Sequence, residues 1–351
     1  MFSFGKKSIV ALDIGSYSVK LVQLSKTKKG YNLANLASMP LSPEAIVDGA
    51  LMDTGTIVDI VRELMAGAKL KLADVAASVS GHSVIIKKIV LPATTEEELA
   101  DSIQWEAEQY IPFDIADVNL DFQILGEAPG DSSQIEVLLV AAKKEIVDDY
   151  TAVLTEAGLN PVILDVDAFA VQNMLELNYD FEEGDVIASV NVGAELSMVN
   201  VFKDGISIFN RDVSNAGNRL TQEIQKHFSL SHEEAEAAKL GAEVEGLDAS
   251  ELKAIFAEAV ESLSSEVART IDFFMATNPE DKIVKLYLSG GAAGTAGLRD
   301  LLSEKLGFPV EIADPFNSVV CDEKKFDPDY LKDSGPSFAV ALGLAIREAG
   351  D

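Results

Sequence analysis

The feature that most constrains this chain is one short pattern that occurs twice, half a chain apart. Leu12-Asp13-Ile14-Gly15-Ser16-Tyr17-Ser18 is paralleled by Val190-Asn191-Val192-Gly193-Ala194-Glu195-Leu196, a shift from position 12 to position 190 in 351 residues. In both copies a buried-type apolar run ends in a polar residue and a glycine. A second strand, a lysine-containing turn ending in Gly30 or Gly205, and a third strand follow. Self-similarity at a fixed spacing marks a duplicated unit, and a chain of this length exceeds one ordinary core. The expectation is an α/β protein of two like lobes, each opening with a three-strand meander. Glycine at the strand end permits a tight turn and close backbone approach. Two such hairpins facing one another could clamp a phosphate chain, with a strand-end carboxylate holding Mg2+ through water. Either turn alone would read as an ordinary structural hairpin; the duplication carries the signal.

A third glycine site lies at Leu286-Tyr287-Leu288-Ser289-Gly290-Gly291-Ala292-Ala293-Gly294, a buried strand running into a turn and a helix expected over 295–306. Glycines before a helix N-terminus suit an anion or a flat ligand against the backbone. No P-loop and no Gly-x-Gly-x-x-Gly fingerprint is present, so a nucleotide site here is of another type. Helical spacing is expected over 45–70, capped at Asp53 or Thr56, and over 95–110, where Thr95-x-x-Glu98 forms a capping box. The segment 254–274, with Phe256, Val260, Leu263, Val267, Ile271 and Phe274, reads as core. Residues 314–335 read as polar and irregular.

Net charge is −30, from 28 basic and 58 acidic side chains. Such a surface repels nucleic-acid phosphates and anionic headgroups, so nucleic-acid binding and direct membrane insertion are not expected. A nucleotide remains compatible, since backbone N–H groups and a metal ion would hold its phosphates. The single cysteine, Cys321, excludes an internal disulfide, and three histidines leave little for a zinc cage. The apolar run 338–346 is far short of the roughly 20 residues of a membrane helix. Asp13 interrupts the first apolar run, so no signal-peptide core is read there, and a cytoplasmic location is expected.

The five segments 12–24, 162–174, 187–205, 286–298 and 336–348 resemble, in order and spacing, the phosphate, connecting and adenosine elements of the actin, sugar kinase and heat-shock ATPase superfamily. Within it the chain is similar to the PilM family of type IV pilus assembly proteins, relatives of FtsA. The resemblance rests on Asp13-Ile14-Gly15-Ser16-Tyr17-Ser18-Val19-Lys20, on Asp165-Val166-Asp167-Ala168-Phe169-Ala170, and most specifically on Gln104-Trp105-Glu106-Ala107-Glu108-Gln109-Tyr110-Ile111-Pro112-Phe113.

This resemblance implies a two-lobed actin-like ATPase fold of duplicated mixed-sheet domains. The first lobe would span 1–184 with an FtsA-like inserted subdomain at about 74–155. The second would span 185–351, with a closing helix at about 336–348 between the lobes. It implies ATP and Mg2+ as cofactors, with Asp13 holding the metal through water. Gly15, Ser16, Tyr17, Ser18 and Lys20 would meet the phosphates from one side, and Asn191, Gly193, Ala194 and Glu195 from the other. Gly217 and Asn218, then Glu236 and Lys239, would reach ribose and base; Gly290, Gly291 and Ala292 would contact the adenine side. Asp167 falls where the superfamily often orients the attacking water. The implied partner is the N-terminal cytoplasmic peptide of PilN, at the inner face of the inner membrane. Pilus assembly ATPases, the rest of the inner-membrane complex and self-association extend the set, in a system that serves twitching motility.

One position departs from the superfamily pattern: Asn191 stands where the second phosphate segment usually carries Asp. The lost charge weakens metal-water binding and activation of the attacking water, so at most a slow ATPase is expected. Two other functions stay open. A small-molecule kinase of the same fold needs a base aimed at a substrate hydroxyl, for which no compelling set is visible. An FtsA-like filament would carry an amphipathic tether beyond the last core helix, which is expected to be missing here. Trp105 lies off the 99–110 stripe; it either fills a second buried face or lines a peptide groove.

Overall fold

In the computed structural model, residues 9–47, 49–71, 73–244 and 246–348 are described. Ser8, which begins the first expected strand segment, and residues 349–351 of the expected second lobe lie outside them.

The first apolar runs form the expected meander: β1 (Val10–Ile14), β2 (Ser18–Thr27) and β3 (Gly30–Pro40), all antiparallel, with Asp13 opposite Lys20. A short hairpin, β4 (Ile46–Val47) and β5 (Ala50–Leu51), occupies the front of the segment expected to be helical from 45. The helix α1 (Thr54–Gly67) starts only where Asp53 accepts the Thr56 N–H, because a cap fixes where a helix can begin. Next come β6 (Asp74–Val79), β7 (Val84–Pro92), α2 (Glu96–Ala107) with its capping box, β8 (Val118–Ala128) and β9 (Asp131–Lys143). The segment closes with α3 (Lys144–Glu156), β10 (Asn160–Val166) and α4 (Asp167–Asn178).

Among the described residues, six strands make one sheet in the order β10-β6-β1-β2-β3, with a sixth strand, described below, at its edge, while β7-β9-β8 make a separate antiparallel sheet. The expected inserted unit at 74–155 is therefore too wide. Strand β6 is buried between β1 and β10 in parallel register, and α3 shares a core with α1 through Ile146, Val153, Leu154, Ile57 and Val61. What stands apart is Val84 to Lys143, with its own core of Ile89, Leu99, Ile103, Val137 and Leu139.

The second half repeats the plan with β11 (Val186–Val192), β12 (Ser197–Lys203) and β13 (Ile206–Val213). Helices α5 (Gly217–Phe228), α6 (His232–Lys239) and α7 (Ala249–Thr277) follow, then β14 (Ile283–Ser289), α8 (Leu298–Leu306) and β15 (Val310–Ile312). The sheet order is β13-β12-β11-β14-β15, and Val260, Leu263, Val267, Ile271 and Phe274 of α7 fill its core as read from the sequence, while Phe256 packs instead, half-buried, on the small cluster of Leu220, Ile224, Ala235 and Ala238. Helix α8 begins three residues later than expected, because Gly297 at φ +86° turns the chain at its start.

The segment expected to be irregular is not wholly so. It carries β16 (Val319–Val320), which pairs parallel with β3 at the edge of the first sheet, and α9 (Pro328–Ser334), capped by Asp327 with proline at its start. A two-residue strand is below the reach of periodicity. The closing helix α10 (Ala339–Ala345) is shorter than the expected 336–348 and is entered through a 3-10 turn at Gly335–Phe338.

Helix α10 leaves the second half of the chain to pack on β1, β2 and β6, while α4 reaches β11 and β12. The two helices cross so closely that a Cβ on Gly343 would lie 1.7 Å from the carbonyl oxygen of Ala170. Alanines 168, 170, 339, 341 and 345 line the crossing, in a core that draws residues from both sheets. Gly343→Ala should accordingly cost roughly 3 kcal/mol of stability by overpacking. Gly67→Ala, in helical backbone with nothing within 4 Å, should be neutral or stabilising by up to ~1 kcal/mol. Denaturant melts of the two variants check this, and equal stabilities would refute the crossing as a tight constraint.

Candidate functional site

The strand-end hairpins sit where the two meanders face each other. In the first, the Gly15 N–H donates to the Ser18 carbonyl at 3.2 Å, which folds 15–18 into a tight loop. Asp13, buried at the end of β1, receives the Lys20 ammonium at 3.1 Å from the neighbouring strand. A Cβ on Gly15 would come 3.6 Å from the Asp13 Oδ1 and 3.7 Å from the Lys20 Nζ, so Gly15 leaves that pair open. Within the described chain the N–H groups of Ser16 and Tyr17 donate to no protein acceptor.

The second hairpin is the same loop, with the Gly193 N–H on the Leu196 carbonyl at 2.9 Å. It is fastened to two other glycine turns. Gly217 and Asn218, at the start of α5, donate to the carbonyls of Gly193 (3.0 Å) and Ala194 (2.7 Å). The Ala292 N–H donates to the Val192 carbonyl at 3.0 Å, and Gly290, at φ +93°, would drive a Cβ to within 2.4 Å of that same oxygen. Three stretches separate in sequence thus meet at Val192-Gly193-Ala194. Only glycine fits at 290, because the φ and the space both forbid a side chain.

Glu236 and Lys239 of α6 join this assembly through a residue that the sequence reading missed, Thr221. The Thr221 hydroxyl donates to the Glu236 carboxylate. Lys239 reaches Glu236 (2.6 Å), Thr221 (2.9 Å) and the Gly217 carbonyl (3.5 Å). No local pattern marks Thr221; its role arises from two helices packing. A cleft lined by Gly217, Leu220, Lys239, Leu263, Ala292 and Thr295 opens beside it. Tyr17, at the tip of the first hairpin, is half-exposed, and its hydroxyl pKa is pushed up by burial and by the Glu236 charge.

Asp167 opens α4 and accepts the Ser78 hydroxyl at 2.5 Å. Burial first, then the Asp13 charge, raises its pKa to about 6, against hydrogen bonds from Ser78 and Ser80. Ser78 and Ser80 were missed, although Ser78-Val79-Ser80-Gly81 is another strand end running into glycine. Tyr150 on α3 was also missed; burial and the charges of Asp167, Asp13 and Glu195 push its pKa up, so these groups share one field. Asp212 of β13 is raised by burial, with His82 of the first lobe opposing. Asn191 is turned aside: its Oδ1 accepts the Ser289 hydroxyl at 3.2 Å. Gly291 has open space around it. Neighbouring Asp165 makes an ion pair with Arg347 at 3.4 Å that lacks hydrogen-bond geometry.

Among the described residues no group of three or more carboxylate, imidazole or thiol ligands converges on a point that could hold a metal. A divalent cation would fit here only with ligands brought by a bound phosphate and water, Asp13 being the nearest carboxylate of the first hairpin. A larger cleft of about 340 Å³ lies elsewhere, between Lys88 and Glu136 of the inserted sheet and Lys203 and Ile206 of the second lobe, and holds none of these residues.

Two duplicated sheets, two connecting helices and three glycine turns around one cleft define the actin-like ATPase fold. Solved structures agree at the level of fold: the ethanolamine utilization protein EutJ from Carboxydothermus hydrogenoformans matches with 17% identity, TM-score 0.59, over 98% of this chain and 91% of that one. MreB5 of Spiroplasma citri, bound to ADP, matches with 13% identity, TM-score 0.55, over 96% and 95%. The family model for the type IV pilus assembly protein PilM matches residues 11–349, and the chain belongs to that family. The structure of a PilM-PilN type IV pilus biogenesis complex is similar at 30% identity and TM-score 0.86, over 98% of this chain and 99% of that one.

The raised pKa of Asp167 has a consequence for stability. A carboxyl whose folded pKa lies above its unfolded value costs stability when ionised, and that cost is lifted as pH falls through the folded pKa toward the unfolded one. The window is set by the folded value of about 6. Asp167→Asn should therefore raise the melting temperature of the nucleotide-free protein at about pH 8, the gain shrinking as pH falls from about 6 toward about 4. Melting curves across that range test it, and a gain independent of pH would refute burial of the charge as the cause.

Proposed function

We propose that this chain is an ATP-loaded adaptor of type IV pilus assembly. It binds ATP with Mg2+ between its lobes, turns it over slowly or not at all, and docks the N-terminal cytoplasmic tail of PilN at the inner face of the inner membrane. The observation that carries the nucleotide half is the meeting of Gly193-Ala194, Gly217-Asn218 and Gly290-Ala292 opposite the Asp13–Lys20 hairpin.

In this reading Gly15, Ser16, Tyr17 and Ser18 grip phosphates from one side, and Gly193, Ala194 and Glu195 from the other. Free N–H groups at the first loop suit phosphate oxygens. Glu236 and Lys239, held by Thr221, border the ribose and base, with Gly290, Gly291 and Ala292 along the adenine. When bound with ATP, Mg2+ supplies charge neutralisation at the transferring phosphate. Lys20 balances Asp13 and presents its remaining donors to the same phosphates. Slow turnover follows from two groups. Asn191 is neutral and committed to Ser289, and Asp167, which would orient water, is buried with one oxygen already taken by Ser78.

The partner half rests on family membership and on the likeness to the PilM of a PilM-PilN complex. An extended tail would lie between the first lobe and the inserted sheet, by strand addition or side-chain pockets. No helix of the described residues is long and apolar enough to cross a membrane, consistent with attachment through a partner.

Calorimetry with ATP, ADP and Mg2+ tests the first half. Asp13→Asn should weaken Mg-ATP binding roughly 10- to 100-fold, the worth of a charge-assisted contact. Absence of binding by the intact protein would overturn the nucleotide reading. Titrating a synthetic PilN tail peptide into the same samples tests the second half independently. Asn191→Asp should restore the missing charge and raise phosphate release above that of the natural chain; an unchanged rate would remove Asn191 as the cause of slow turnover.

A further inference from the structure

Trp105 is the only tryptophan in the chain, and 78% of its surface is exposed. It lies on the outer face of α2, opposite Leu99, Ile103 and Ala107, which plug the core of the inserted sheet. The position is a firm one: a capping box fixes the helix start, with the Thr95 hydroxyl and the Glu98 carboxylate each bonded to the other's backbone N–H. So the indole is displayed by a rigid element.

Its surroundings have one sign. Asp101 stands four residues before Trp105 and Glu108 three after, so both neighbour it on the helix surface. Glu97 extends the same stripe, and all three acids are exposed. No lysine or arginine occurs anywhere in α2. Other rings of the unit receive a cation from within the chain: Lys87 lies 5.3 Å from the Tyr110 ring centre and Lys143 lies 4.6 Å from that of Phe113. Among the described residues nothing of the kind covers Trp105.

We propose that this face of α2 docks a short cationic segment of a partner protein, with an arginine stacked on Trp105 between the carboxylates of Asp101 and Glu108. A guanidinium both stacks on an aromatic face and forks onto carboxylates, which a lysine ammonium does less well. Tryptophan and arginine are both enriched among the residues that carry binding energy at protein interfaces. The charge argues against a second copy as the occupant, since each copy carries −30. Trp105 is not among the residues that line the cleft at the glycine turns, so the proposal does not rest on nucleotide binding.

Because Trp105 is the sole tryptophan, its emission reports this face in the full chain. Hexa-arginine peptide at low salt should change that emission saturably and bind several-fold tighter than hexa-lysine. The pair Asp101→Lys and Glu108→Lys should weaken hexa-arginine about tenfold or more, about 1.4 kcal/mol. The same reversal at Glu258 and Glu304, exposed on the second lobe, should change it little. Trp105→Ala, read by calorimetry, should abolish the preference for arginine while leaving the melting temperature unchanged. The proposal is overturned by emission that ignores hexa-arginine, or by equal weakening from both charge reversals, which would mean diffuse attraction to net charge. Emission that changes with protein concentration alone would overturn it too, by making a second copy the occupant.

Discussion

Everything in this molecule hangs on the crossing of α4 and α10. Two sheets of similar plan are joined by these helices, and the backbone of one rests against Gly343 of the other with no room for a methyl group. Small residues there are not a default filling. A wider contact would push α10 off β1 and β2, and α4 off β11 and β12, opening the core that belongs to both lobes. Protein interiors respond to such displacement as packed solids, not as liquids.

The crossing also ties the cleft to the frame. Asp167 is the first residue of α4, so its carboxyl is placed by the same helix that makes the crossing. At the other end, the Gly290 N–H donates to the Pro336 carbonyl at 2.8 Å, just before α10. The glycine turn beside the cleft and the helix that closes the fold are thus directly bonded. In the proposed reading, a nucleotide pressing on Gly290-Gly291-Ala292 would act on the start of α10, and one reaching Asp167 on the start of α4.

Much of this was legible because the informative residues repeat. Gly15 and Gly193 make the same loop, and the duplicated meanders appear where the apolar runs placed them. Capping chemistry read locally, as at Thr95 and Asp53, also held, because such bonds are made within four residues. What escaped was made by distance. Thr221 meets Glu236 only after α5 packs on α6, and Tyr150 joins the acidic field only after α3 folds under α1. The inserted unit was read too wide because β6 and α3 carry no mark of which sheet they serve; their apolar faces would suit either. Trp105 shows the converse limit. Its spacing put it off the buried stripe, but only the structure leaves it exposed instead of filling a second buried face.

The electrostatics of the cleft explain why a protein with 30 excess negative charges can still suit an anionic ligand. Asp167 feels the charges of Asp13 and Asp212, and Tyr150 those of Asp167, Asp13 and Glu195; burial, then the Asp13 charge, raises the Asp167 pKa, and burial raises that of Asp212. Within the first hairpin Asp13 has a cation beside it, Lys20. A bare phosphate chain would add to the crowding, whereas one carrying a divalent cation would relieve it, since the ion faces the carboxylates while backbone N–H groups face the oxygens. In the proposed reading, the acidic lining would favour a metal-bound nucleotide over a free one. Asn191 fits the same logic: a further carboxylate there would sharpen both metal binding and the activation of water. With an amide bonded to Ser289 there instead, the proposed adaptor would hold a nucleotide's charge in place more than move it.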